Sequence, residues 1–148
     1  MLIRKAMEAL SATRPIFHSE ADFQHAFAWM VHTLDPEATV RLEVPFHSGD
    51  ARRYLDVVIK SREVSAAVEL KYKTRMLLAE AKNEAFFLED QSAQDLGRYD
   101  FFKDIQRLEE SAKAAPGRSG AAVFLTNDSA YWKPPGRSTS GLRPVRND

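Results

Sequence analysis

Few folds accommodate what lies between Arg53 and Tyr72. Two apolar, β-branched runs, 53–59 (RYLDVVI) and 65–72 (SAAVELKY), are separated by a polar link at Ser61–Val64. Runs of this composition read as strands, and a link of four residues is a common hairpin loop. Such a loop pairs Lys60 with Ser65, and every pairing behind it follows. Asp56 then falls opposite Glu69, and Tyr54 opposite Lys71. Directly opposed residues in an antiparallel pair share a face of the sheet. One face is expected to carry Leu55, Val57, Ile59, Ala66, Val68 and Leu70. The other carries Tyr54, Asp56, Val58, Ala67, Glu69 and Lys71, so two carboxylates and a lysine meet on a surface that is otherwise largely apolar. A register slip of one residue would send the whole set to the opposite side.

Opposed carboxylates repel unless a cation lies between them. A hard divalent ion with oxygen ligands, Mg²⁺ or Mn²⁺, suits that need. Asp56, a gap of twelve residues, and then Glu69-Leu70-Lys71 resembles the signature of the PD-(D/E)XK nuclease superfamily, an acid on one core strand and acid-x-lysine on the next. Leu55 stands where the family name has proline. The resemblance implies metal-dependent hydrolysis of phosphodiester bonds in nucleic acid, with DNA favoured over RNA. It implies Asp56 and Glu69 as metal ligands, with the Leu70 carbonyl completing the set, and Lys71 beside the attacking water. It further implies an acid from the first core helix, for which Glu20 is the candidate. The alternative is a catalytically silent nuclease-like domain that scaffolds a partner or binds nucleic acid.

The remaining chain supplies the expected frame. Residues 1–13 have the spacing of a short helix. Ser19 reads as an N-cap, with a helix running to Leu34 before Asp35-Pro36 stops it. Its apolar stripe is Phe23, Ala26, Phe27, Met30, Val31 and Leu34, with Glu20 on the stripe's edge. His25 and His32 fall on the other side with Trp29 between them, away from the sheet. Residues 39–46 alternate as a first strand, from which Glu43 could reach the polar face as a further site candidate, and 47–52 form the turn into the second. Lys73 and Arg75, just beyond Lys71, suit contacts to a phosphate backbone. Residues 76–90 fit a helix by propensity or a protruding hairpin about Lys82-Asn83-Glu84, with the hairpin favoured, and 91–97 read as a turn-rich approach to a helix over 98–114. That helix has Phe101, Ile105, Leu108 and Ala112 on its inner face. Asp100, Lys103, Asp104 and Arg107 are assigned to a mixed-charge outer surface. In nucleases of this type polar residues after the acid-x-lysine strand often approach the substrate, which makes Gln91, Gln94, Arg98 and Tyr99 candidates. Residues 120–126 are a continuous apolar run, as in a buried strand, and 128–148 an irregular tail.

Helix, three strands, helix and strand make an α/β fold, and that order matches the restriction-endonuclease-like αβββαβ core, a central mixed sheet flanked by helices. At 148 residues the chain is expected to be a single domain with its core over about 19–127. Lys and Arg balance Asp and Glu at 21 each, unlike the basic balance of proteins that coat nucleic acid. The absence of cysteine excludes disulfides, thiolate metal sites and thiol nucleophiles. No apolar run reaches membrane-span length, so a cytoplasmic protein with no membrane partner is expected. Nucleases of this kind often act as homodimers, for which a patch around Trp29 or in the tail is a candidate surface.

Overall fold

The computed structural model describes residues 2–62, 64–91 and 93–134. Helices α1 (Leu2–Thr13) and α2 (Glu20–Leu34) precede three antiparallel strands, β1 (Thr39–Ser48), β2 (Ala51–Lys60) and β3 (Ser65–Lys73). A two-stranded hairpin, β4 (Leu77–Ala81) and β5 (Glu84–Leu88), follows, then α3 (Gln94–Ala114), β6 (Ser119–Thr126) and a short 3₁₀ turn at Ser129–Tyr131. The main sheet has the order β1-β2-β3-β6, with β3 and β6 parallel. Parallel neighbours need a crossover connection, and α3 provides it. The result is α/β, with a mixed sheet between α1 and α2 on one side and α3 on the other.

Local chemistry accounts for most element boundaries. Ser19 caps α2 by accepting from the Asp22 amide at 3.1 Å, and Glu20 and Asp22 place negative charge in the first turn. Lys82 and Asn83 join β4 to β5 with φ of 51° and 63°, the two left-handed residues a tight hairpin turn requires. Gly49, at φ 58°, opens the two-residue turn between Ser48 and Ala51. Both strands of that hairpin therefore run further than their apolar alternation suggests, and 47–52 is largely strand. The link after Lys60 behaves as its length predicts. Lys60 pairs with Ser65, and the Ser61 amide donates to the Val64 carbonyl at 2.8 Å.

The principal core lies between the sheet and the first two helices. Phe17, Phe23, Phe27, Val31 and Leu10 pack there against Val57, Ile59, Ala66, Val68 and Leu70. Of the expected α2 stripe, Leu34 is exposed, while His25 and His32 face outward as read. A smaller core of Phe46, Leu55, Val58, Ala67 and Leu108 lies under α3. Leu55 is a correction, since strict alternation puts it with Val57. Glu43, at φ 51°, interrupts β1, and neither it nor the facing Asp56 takes part in the β1–β2 pairing. Past that break Val44 and Leu55 turn to the α3 side.

Two further expectations are revised. The helix expected over 98–114 begins at Gln94, and its buried residues are Gly97, Asp104, Leu108 and Ser111. β6 is an edge strand of half-buried residues rather than a fully buried one. From 135 onward, the expected irregular tail and any dimer surface on it lie outside the described residues. Among the described residues no helix is long and apolar enough to cross a membrane.

Candidate active site

The site forms where β2 and β3 part. Their pairing runs from Lys60↔Ser65 to Val57↔Val68 and stops. Beyond that point β3 has amides that β2 no longer reaches, and buried amides need acceptors. Carboxylates supply them. Asp56 Oδ2 accepts from the Leu70 amide at 2.8 Å, and Glu20 Oε2 accepts from the Tyr72 amide at 2.9 Å. Glu69 Oε1 takes the Asp56 amide in a long contact of 3.4 Å. Glu20 reaches β3 from the first turn of α2, and the register brings Asp56 to it from β2.

Lys71 lies among the acids. Its Nζ is 3.3 Å from Asp104 Oδ2 and 4.0 Å from Glu20 Oε1. Arg107, one turn along α3 from Asp104, donates to Glu69 Oε2 at 2.9 Å and also to Asp104. Glu69 is 1% exposed and Asp104 2%. The structure thus gathers the four candidates Asp56, Glu69, Lys71 and Glu20, and adds Asp104 and Arg107 from α3. Four carboxylates face two cations, leaving an excess of negative charge in a partly desolvated space.

That imbalance shows in the proton affinities. Burial, then repulsion by Asp56, lifts the Glu69 carboxyl to about 7, against the opposing pull of Arg107. Asp56 is also raised, chiefly by burial, with the hydrogen bond from the Leu70 amide working the other way. For Lys71 burial is the largest single influence and lowers its affinity, but Glu20 and Asp104 together outweigh it, so the amine is held more firmly protonated than usual. Lys71 is therefore held as a cation in this arrangement.

Asp104 and Arg107 escaped sequence reading because charged residues on a helix are ordinarily solvated. One signal was available. Asp104 stands three residues after Phe101 and four before Leu108, on the stripe facing the sheet, where an unpaired carboxylate would be costly. Lys71, from β3, is what makes the position tenable.

Of the remaining candidates, Tyr99 and Gln91 line clefts that contain Lys71 and Glu20, and the others are placed elsewhere. Gln91 accepts from the Thr74 amide, while Gln94 donates to Asp128 at 2.9 Å. Arg98 donates to the Ala130 carbonyl, and Arg75 lies 3.7 Å from Asp128. These groups tie the end of β3 and the start of α3 to the segment after β6. The Gln94 hydrogen bond, followed by the Ala130 amide, holds the Asp128 carboxyl below its ordinary range. Lys73 is half-buried at the end of β3, opposite Thr126. Glu43 is exposed at the β1 break and stays outside the cluster. Tyr99 lines a cleft of about 300 Å³ beside Lys71, together with Arg53, Lys103, Asp104 and Arg107.

No family model, curated protein or solved structure matches this chain. The chemistry is therefore carried by the geometry alone. All the acidic donors are hard oxygens, the class that divalent Mg²⁺ and Mn²⁺ prefer. Mutual repulsion and burial make Asp56 and Glu69 reluctant to ionise together, which is the condition a cation relieves. Among the described residues no three His, Cys, Asp or Glu side chains form a ready-made ligand set. Arg107 and the Leu70 amide engage one oxygen each of Glu69 and Asp56. The donors fit a hard cation by type and charge, and Arg107 would have to yield its hold on Glu69.

Proposed function

We propose that this protein is a metal-dependent nuclease of the PD-(D/E)XK type, hydrolysing phosphodiester bonds with DNA favoured as substrate. The observation that carries this reading is the convergence of Asp56, Glu69, Lys71 and Glu20 where β2 leaves β3. The element order α2-β1-β2-β3-α3-β6 supports it, with β4–β5 as an insertion before the crossover helix.

On this reading Asp56 and Glu69, with the Leu70 carbonyl, hold Mg²⁺ or Mn²⁺. When bound, the ion polarises the phosphoryl group and lowers the pKa of a water ligand. Lys71, kept protonated by Glu20 and Asp104, offsets negative charge that develops on the phosphoryl oxygens. Glu20 is the least enclosed of the acids near Lys71, with its side chain 38% exposed. It is therefore the carboxylate most open to the attacking water, which it would orient by a hydrogen bond. Asp104 and Arg107 position Lys71 and Glu69 from the α3 side.

Nicking of supercoiled plasmid in Mn²⁺, followed on agarose, tests the assignment. Cleavage by the native protein and its loss in Asp56→Ala and Lys71→Ala, each still folded by circular dichroism, is the expected result. Persistent cleavage in both variants refutes the site. One observation favours a second reading, an inactive nuclease-like scaffold. Arg107 and the β3 amides already partner the acids, so the cluster is serviceable as pure architecture. Titration calorimetry with Mn²⁺ separates the two, because the scaffold takes up no ion.

A further inference from the structure

We infer that the rim of the acidic cluster holds unpaired nucleobases, so that the strand presented to it is single-stranded nucleic acid rather than an intact duplex. The nuclease reading supplies the class of polymer; the preference for unpaired bases comes from the rim itself.

Large rings stand in solvent on both sides of the carboxylates. On α3, Tyr99 is 60% exposed and lines the cleft that contains Lys71 and Asp104. Across the cluster, Phe87 of β5 is 62% exposed and lines the cleft that also contains Glu20. None of these rings belongs to either core. Cations accompany them. Lys103 Nζ lies 4.8 Å above the Tyr99 ring, and Arg53, Lys71 and Arg107 line the same cleft.

Aromatic faces interleaved with basic side chains are the chemistry that grips a single strand, the bases stacking while the cations follow the phosphates. In a duplex the base faces are occupied by their neighbours and unavailable to Tyr99 or Phe87. The charge also argues against an apolar protein partner. The cleft's cations are held in ion pairs, Arg53 with Glu110, Lys71 with Asp104, Lys103 with Asp100 and Arg107 with Glu69, and an apolar partner would have to desolvate all four pairs, whereas a polar, hydrated strand would not.

Fluorescence anisotropy in EDTA tests this with a fluorescein-labelled oligothymidylate and an equally labelled blunt duplex. The native protein is expected to bind the single strand more tightly. Tyr99→Ala with Phe87→Ala should weaken single-strand binding by about tenfold or more, the loss of stacking on two rings, and leave duplex binding unchanged. Tyr99→Ala alone should weaken it in the same sense, and Tyr99→Phe, which keeps the ring, should restore it. Equal or tighter duplex binding, no response to ring removal, or no binding of either probe overturns the inference. So does a change of oligomeric state in the ring variants by sedimentation, which would make the rings an interface between copies. Cleavage in Mn²⁺ is scored separately. A native protein that cuts but binds both probes alike loses this inference and keeps its nuclease activity. One that grips the single strand through these rings and never cuts keeps the surface and loses the catalytic reading.

Discussion

Replacing Glu69 by glutamine should make the metal-free protein more stable at alkaline pH. Glu69 is almost wholly enclosed, and its carboxyl is raised from 4.5 to about 7 by burial and by Asp56. A carboxyl with a raised folded-state pKa favours the folded state most when protonated. Its contribution is complete below about pH 4.5 and is lost as pH climbs through 7. A tenfold change in proton affinity is worth about 1.4 kcal/mol, so the full effect is roughly 3 kcal/mol, of which about 2 kcal/mol falls between pH 5.5 and 8. Glutamine imitates the protonated acid and has no such dependence. Urea unfolding in EDTA, with native protein and Glu69→Gln compared at each pH, cancels the titration of other groups. The variant should gain about 2 kcal/mol relative to the native protein between pH 5.5 and 8. At pH 8 it should be the more stable of the two. A difference that does not move with pH, or a variant less stable at pH 8, refutes the reasoning. It would mean that Arg107 neutralises Glu69 more completely than the geometry suggests. Mg²⁺ at a hundredfold excess over its dissociation constant should nearly cancel the difference, because an ion held by the carboxylate stabilises only the native protein, by about 2.7 kcal/mol.

Three other outcomes are expected. Asp104→Asn leaves the packing volume intact but removes the nearest charge to Lys71. Plasmid nicking should fall about ten- to a hundredfold, in the range by which a group that positions a catalytic side chain contributes; unchanged rates would reduce Asp104 to a structural role. Lys71→Arg should retain more activity than Lys71→Met if the side chain works as a cation, whereas a shared and complete loss points to proton transfer by the amine. Phe27→Ala, at a fully buried position between α2 and the sheet, should cost about 3–5 kcal/mol in urea unfolding. A cost below about 1 kcal/mol would show that the principal core lies elsewhere.

Much of the candidate site was legible because antiparallel pairing is arithmetic. Once four residues link Lys60 to Ser65, the register runs to Val57↔Val68 and leaves Asp56 and Glu69 next in line, although the expected pairings of Asp56 with Glu69 and of Tyr54 with Lys71 do not form. Ser19 as a cap, with acids at Glu20 and Asp22, was equally local, as was the turn at Lys82-Asn83. Leu55 was misplaced because alternation holds only while the backbone stays regular. The left-handed Glu43 breaks β1 opposite Asp56, and no residue type in that stretch announces it. The start of α3 at Gln94 was missed for a related reason. Its N-cap is Ala93, which makes no side-chain capping bond that a sequence could advertise.

What the chain's order of residues determined by itself was a set of short-range facts: helix spacing, caps, turn lengths and the register of a hairpin. Each depends on neighbours a few positions apart. Only tertiary structure decided the company these residues keep. Asp104 is buried because Lys71 awaits it across the interface between α3 and the sheet. Arg107 is directed inward because Glu69 needs a counter-charge, and Glu20 matters because β2 has left β3's amides without acceptors. Charges interact over ångströms of space and not over positions in a sequence, so the electrostatics of the site existed only once the layers had closed.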